Sequence, residues 1–377
     1  MDGNTGDEDG AHHPLPESKR HEGSHTGQRD EGDPDAVQGS EHTPSIRPRR
    51  DIVNRRFLAL SAVLLAACTS LPVGQTAPSS SSVITTTTVV TTTTSTIADT
   101  TTTVLSSTPL GLITPTGIPV AVRLVSPDGY IVWSPCGNLT RVTDGEPIYG
   151  ARVVLDPGHG GNRDIGSQGR NGLPEKVANL RVAFEAQAQL EARGIPTVLT
   201  RTADYATTIP VRARLADHLG AEVLVSIHHN GPTPGPSPTP GTEIFYQSFS
   251  AESRRLGGVL YEHVVDALSQ FSDVQWAKAP DGGVITVLNE DGRDTYGMVR
   301  RPRTPAVLLE MGYMSNPSEA ELFATVEYVE VAGRAIADAI EAYLSTDAPG
   351  TGWYEPGRTF RAAPGLSGAE CVETPLE

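Results

Sequence analysis

Three stretches of this chain set imidazoles and carboxylates where they could bind a cation and move protons. The first reads Val153-Val154-Leu155-Asp156-Pro157-Gly158-His159-Gly160-Gly161, with Glu175 sixteen residues beyond its histidine. The second is Ser226-Ile227-His228-His229-Asn230 and the third Leu308-Leu309-Glu310-Met311-Gly312-Tyr313. Two neutral imidazoles and one carboxylate are a standard donor set for catalytic zinc, which keeps a fourth position open to water. His159, Glu175 and His228 fit those ligand roles. Such chemistry also needs a carboxylate outside the metal shell that takes a proton from water and returns it to the leaving group. Glu310 fits that role. No H-E-x-x-H helix is present, so a zincin arrangement is excluded.

Each of these residues has a plainer reading by itself. A histidine after a strand is more often a hydrogen-bonded structural residue than a ligand. Gly158, Gly160 and Gly161 could cradle a phosphate, although no Lys-Ser/Thr follows them. Glu175 could be a favourable acidic residue in the first turn of a helix. The combination points to one site. Each motif is a β-branched or leucine-rich run that reads as a buried strand and ends in a polar residue. Sites in open α/β sheets form just outside the carboxyl ends of strands.

The elements that must position these residues begin at residue 152. Strands are expected at 152–155, 197–200, 223–227, 243–246, 284–288 and 306–309. Helices are expected at about 174–193, 211–219, 250–270 and 326–344. The first helix shows apolar residues at Val177, Leu180, Phe184 and Leu190 and stops at Gly194. Residues 231–240 are a Pro-rich loop, and 271–305 read as irregular, with no long helix expected to block the cleft. The alternation implies an α/β fold with a single mixed, mostly parallel sheet covered by helices on both faces. Asn230 and Arg201, at strand ends, are candidate substrate contacts.

The remainder of the 377 residues reads as a series of appendages. Residues 1–52 are Asp/Glu/Gly/His/Pro-rich and expected to be disordered; five of the ten histidines lie there. Residues 53–68 combine a basic flank, a short apolar run and Leu65-Ala66-Ala67-Cys68. The run is too short for a membrane span, which needs about 20 residues, and reads as an export signal. Its ending resembles a bacterial lipobox, which implies acylation of Cys68 and a lipid anchor outside the cytoplasmic membrane. Because signals normally open a chain, residues 1–52 are expected to fall outside the translated product. Residues 69–108 form a Ser/Thr-rich linker. Residues 109–149 are expected to form a small β-hairpin element around the turn Ser126-Pro127-Asp128-Gly129. Residues 347–377 are a Pro/Gly-rich C-terminal extension. Of the three cysteines, Cys136 and Cys371 could form a disulfide after export, and no C-x-x-C pair exists. A net charge of −16 without a long basic tract argues against nucleic acid as a partner.

Residues 156–161, 173–180, 226–230 and 309–317, in that order, resemble the zinc-dependent N-acetylmuramoyl-L-alanine amidases of the cell-wall hydrolase family. The resemblance covers about residues 151–345. It implies a catalytic domain at 150–346 that cleaves the amide joining N-acetylmuramic acid to L-alanine of the stem peptide. It implies zinc (Zn2+) held by His159, Glu175 and His228, with Glu310 catalytic. The expected partners are peptidoglycan and, through Cys68, the membrane; a monomer is expected, and a protein activator is compatible with this reading. Two departures stand out. Asp164-Ile165-Gly166 replaces a common Asp-Pro-Gly, and His229 stands where a small residue is frequent. Adjacent strand residues face opposite ways, so His228 is retained as the ligand and His229 is a candidate substrate contact. Two rivals remain: a catalytically silent wall-binding or regulatory module, and a zinc peptidase of the stem peptide.

Overall fold

The computed structural model describes residues 108–362, 365 and 370–377. The expected disordered tail, the signal with Cys68 and nearly all of the Ser/Thr-rich linker lie outside the described residues. The described part begins with five short strands: β1 (Gly111–Ile113), β2 (Pro119–Ser126), β3 (Gly129–Trp133), β4 (Leu139–Val142) and β5 (Glu146–Ile148). They form an antiparallel sheet of order β4-β3-β2-β1-β5. The expected hairpin is the β2–β3 pair, closed where Ser126 faces Gly129. The other three strands have only three or four residues each, too few for alternation to be legible. Leu112, Val120, Val122, Val132 and Val142 bury one face.

The chain then enters the larger sheet with β6 (Val153–Pro157), followed by α1 (Glu175–Ala192), β7 (Thr197–Leu199), α2 (Ile209–Leu219) and β8 (Val223–Asn230). Next come β9 (Pro236–Ser237), β10 (Glu243–Tyr246), α3 (Ala251–Leu268), β11 (Trp276–Ala277), β12 (Val284–Ile285) and β13 (Val287–Leu288). The last elements are α4 (Gly297–Arg300), β14 (Ala306–Tyr313), α5 (Pro317–Phe323), α6 (Val326–Ser345) and β15 (Arg358–Thr359). The sheet order is β12-β10-β14-β8-β6-β7. Only the β10–β14 pair is antiparallel, so the sheet is mixed and mostly parallel. Central strands are buried on both faces, as parallel sheets require. Val153, Leu155, Val223, Val225 and Ile227 pack with α1, α3 and α6. Val154 and Leu224 point the other way, into a second core with Leu215, Ala216 and Leu219 of α2 and Ala121 of the N-terminal sheet.

Several elements differ from the sequence expectation. On α1, Val177 and Phe184 are exposed, and the buried face is instead Ala178, Val182, Ala183, Ala186 and Leu190. The reason is close helix packing. At Gly333 of α6 an added Cβ would lie 2.6 Å from Glu185 Cβ, so α6 presses on α1 at a point with no room for a side chain. Residues 284–288 are not one strand: Val284–Ile285 pairs with β10, and Val287–Leu288 pairs with β15 of the C-terminal extension. β8 and β14 also run past the expected ends at 227 and 309. Glu310 faces His228 and Tyr313 faces Asn230, so β14 carries one extra residue there, a β-bulge. After α6 the chain returns to the N-terminal sheet, where Cys371 is disulfide-bonded to Cys136. Glu373 accepts hydrogen bonds from Ser134 Oγ (2.5 Å) and Asn138 Nδ2 (2.7 Å). Among the described residues, no helix is long and apolar enough to cross a membrane.

Candidate metal centre

β6 delivers Gly158 and His159 just beyond its carboxyl end. His159 has a left-handed backbone, φ 63°, a conformation that costs a non-glycine residue about 1–2 kcal/mol. A buried guanidinium holds this turn in place. Arg212 of α2 donates from Nη1 to Asp156 Oδ1 (2.9 Å) and the Pro157 carbonyl (2.9 Å), and from Nη2 to the His159 carbonyl (2.7 Å). Asp156 also accepts from Ser226 Oγ at 2.6 Å and from the Thr200 hydroxyl. Burial opposes ionisation of Asp156, but Arg212 and the two hydroxyls hold its carboxyl below the ordinary range.

His159 Nδ1 is hydrogen-bonded to the Asp164 carboxylate. This leaves Nε2 for the centre, 3.1 Å from Glu175 Oε1. Burial disfavours its charged form, yet Asp164 and Glu175 outweigh that and push its pKa up to about 10. Glu175 is the first residue of α1. Its carboxylate accepts from the Ser167 N–H (2.7 Å), the His229 N–H (3.2 Å) and Asn179 Nδ2 (3.3 Å). Burial raises its pKa, and the two imidazoles more than reverse that, leaving it well below the usual value. His228 Nδ1 lies 2.9 Å from the same Oε1. One donor atom each from His159, Glu175 and His228 falls within 4.8 Å of the others. Supporting bonds from outside fix such donors in orientation, as metal ligands require. Two imidazoles and a carboxylate therefore fit a divalent cation such as zinc. The packing leaves no slack: a Cβ on Gly166 would sit 2.5 Å from Glu175 Oε2 and 2.6 Å from His159 Cδ2.

Glu310 lies on β14 beside His228. It is 9% exposed, and its Oε2 has no hydrogen-bond partner among the described residues. Burial, then the charges of Glu175 and Glu243, raises its pKa well above the usual value. Glu243 is its antiparallel neighbour on β10. That second carboxylate is fully engaged by Arg358 Nη2 (2.7 Å), Asn230 Nδ2 (2.9 Å) and Tyr313 OH (3.0 Å).

The remaining sequence candidates separate. Asn230 lines the cleft, but its amide is committed to Glu243 and to the Gly231 N–H. Arg201 is not a substrate contact: it is 0% exposed and donates to the carbonyls of Pro157, Gly158, Lys176 and Ala203. Burial, together with Arg212, lowers its pKa to about 10, so it stays charged as an internal strut. His229 is likewise committed internally. It is buried between Asn179 Oδ1 and Tyr328 OH, 2.7 Å from each, and burial drops its pKa to about 3. Asp164, Asn179, Arg212 and Glu243 also support the centre and are not singled out by the motifs. Asn179 was accessible, since it stands four residues after Glu175 and so on the same helix face. Asp164 had only its proximity to His159 to mark it, and the other two carried no local signal.

These groups open into a cleft of about 1180 Å³, bounded on one side by Thr295–Met298 and, unforeseen from sequence, by Phe360, Arg361 and Ala362 of the C-terminal extension. A family model described as N-acetylmuramoyl-L-alanine amidase matches residues 153–342. YqiI of Bacillus subtilis (strain 168), an uncharacterized protein, is 35% identical over 212 residues, covering 56% of this chain and 90% of that protein. The N-acetylmuramoyl-L-alanine amidase LytC of the same strain is 30% identical, over 52% of this chain and 36% of LytC. The match thus spans about a third of that relative's length. The solved structure of the N-acetylmuramoyl-L-alanine amidase AmiC2 of Nostoc punctiforme is 29% identical, covering 52% of this chain and 97% of that one with a TM-score of 0.43. The matched region contains every donor of the centre and Glu310, and this chain belongs to the N-acetylmuramoyl-L-alanine amidase family.

Proposed function

We propose that this chain hydrolyses the amide between N-acetylmuramic acid and L-alanine in peptidoglycan. The observation that carries the reading is the convergence of His159, Glu175 and His228, with the unpartnered carboxyl of Glu310 beside them. Those three residues would hold zinc, which when bound supplies an electrophile for the amide carbonyl and lowers the pKa of water. Glu310 takes the proton of the attacking water and returns it to the departing alanine nitrogen. The C–N bond breaks, giving a lactyl carboxylate and a free amine. A carboxyl with a raised proton affinity suits this exchange. Asp164 keeps the His159 tautomer fixed, and Asn179 with Ser167 holds the Glu175 carboxylate in place. Family membership supports an exported enzyme of the cell envelope. The Cys136–Cys371 disulfide also suits an oxidising compartment. In this reading Cys68 carries the lipid anchor, the Ser/Thr-rich linker is the spacer, and the enzyme acts as a monomer.

The test uses the full chain on insoluble peptidoglycan, with released fragments read by mass spectrometry. Stem peptides beginning at L-alanine are expected, lost on chelation, restored by zinc, and reduced at least about a hundredfold in Glu310→Gln. Shortened peptides would make the protein a peptidase. No release, with the chain still sedimenting with the wall, would make it a binding module.

A further inference from the structure

The charge around the cleft runs against the charge of the molecule. The chain carries a net charge of −16, yet Arg163, Arg214, Arg301 and Arg361 all line this one cleft. They arrive from four separate places: the loop after β6, α2, the turn after α4, and the C-terminal extension. Arg163, Arg301 and Arg361 are exposed. Among the described residues, their side chains meet no carboxylate and no hydrogen-bond acceptor. Arg214 is braced, with its guanidinium 4.6 Å over the Trp133 ring of the N-terminal sheet. The carboxylates in the same wall do not cancel this rim. Asp156, Glu175 and Glu310 are buried, Asp164 is bonded to His159, and Glu370 is the single exposed acid. Cations that only kept the protein soluble would need no common address. Guanidinium groups are matched in shape and charge to carboxylates, and low-dielectric cleft walls focus their field.

We propose that this arginine rim is a subsite for the free carboxylates of the stem peptide, so that the protein selects substrates whose peptide is anionic over those whose carboxylates are masked as amides. The inference rests on the amidase reading above and deepens it. The glycan supplies no such group once its lactyl carboxyl is tied up in the scissile amide, so the charge must come from the peptide. A protein with a strong net negative charge repels such a peptide at a distance, and a local cationic rim is what brings it to the centre.

Two synthetic muramoyl peptides, identical except that one has free carboxylates and the other carboxamides, provide the probe. Their binding to the full chain carrying Glu310→Gln is measured by calorimetry, and their hydrolysis by the unmodified chain is followed in parallel. The free-carboxylate ligand is expected to bind about tenfold tighter, the sum of several modest exposed charge pairs. That preference should shrink as salt is raised. It should disappear in the combined Arg163→Gln, Arg301→Gln, Arg361→Gln variant and survive when the same three become lysine. Equal binding of the two ligands overturns the proposal, as does a preference that persists in the glutamine variant. Preferential binding without hydrolysis of either ligand would retain the rim and overturn the amidase reading, so the two failures are distinguishable.

Discussion

Gly158 shows how little room the centre leaves around its ligands. A Cβ at this position would lie 2.2 Å from both Cε1 and Nε2 of His228, so any side chain there displaces the imidazole. Gly158→Ala is expected to lower bound metal at least about tenfold, read by elemental analysis, while the circular dichroism spectrum is unchanged. The turn beneath depends on a different pair. Asp156 and Arg212 are both buried and bonded to each other, and removing one partner strands the other's charge. Asp156→Asn should therefore cost about 3–5 kcal/mol in urea unfolding. The motif residues were legible because chemistry restricts their types: few side chains can ligate zinc. Arg212 was not. A buried arginine that satisfies four acceptors looks, in sequence, like any cation on a helix.

At the scale of elements, β14 has to place Glu310 beside His228 and then bend. Its bulge is braced by Glu319 of α5, whose carboxylate accepts from the Tyr313 N–H (2.7 Å), the Ala277 N–H (2.8 Å) and Asn316 Nδ2 (2.8 Å). Burial nevertheless raises its pKa from 4.5 to about 7. The folded chain thus keeps a proton that the unfolded chain has lost between those values. Stability from this group is full below about pH 4.5 and declines as pH rises toward 7, by on the order of 3 kcal/mol. Denaturant unfolding across this window should show that decline, and Glu319→Gln should flatten it; parallel curves for the two proteins would refute it. Strand and helix positions were readable here, since the apolar runs of β6, β8 and β14 announce a buried sheet. The bulge and α5 were not, because register is set by pairing between β8 and β14 rather than by either strand alone.

For the whole molecule, the C-terminal extension joins parts that are distant in sequence. β15 adds to β13, Arg358 reaches Glu243 beside Glu310, and Cys371 ties to Cys136. Cys371→Ser should leave the 153–342 region folded but release the extension. Limited proteolysis is then expected to cut after residue 346 in the variant at least about tenfold faster than in the unmodified chain, since exposed, loosely held termini are the sites of nicking. Equal rates would show that β15 alone holds the extension in place. The candidate donor set, Glu310 as the candidate carboxylate beside it, the mostly parallel sheet and the candidate cysteine pair are readable in the residues alone, because ligand chemistry and buried-strand composition are local properties. That Arg201 and His229 are internal supports, that an alanine-rich face of α1 is the buried one, and that the extension walls the cleft emerges only on folding. Those outcomes depend on which elements pack together, and that is a relation between distant segments.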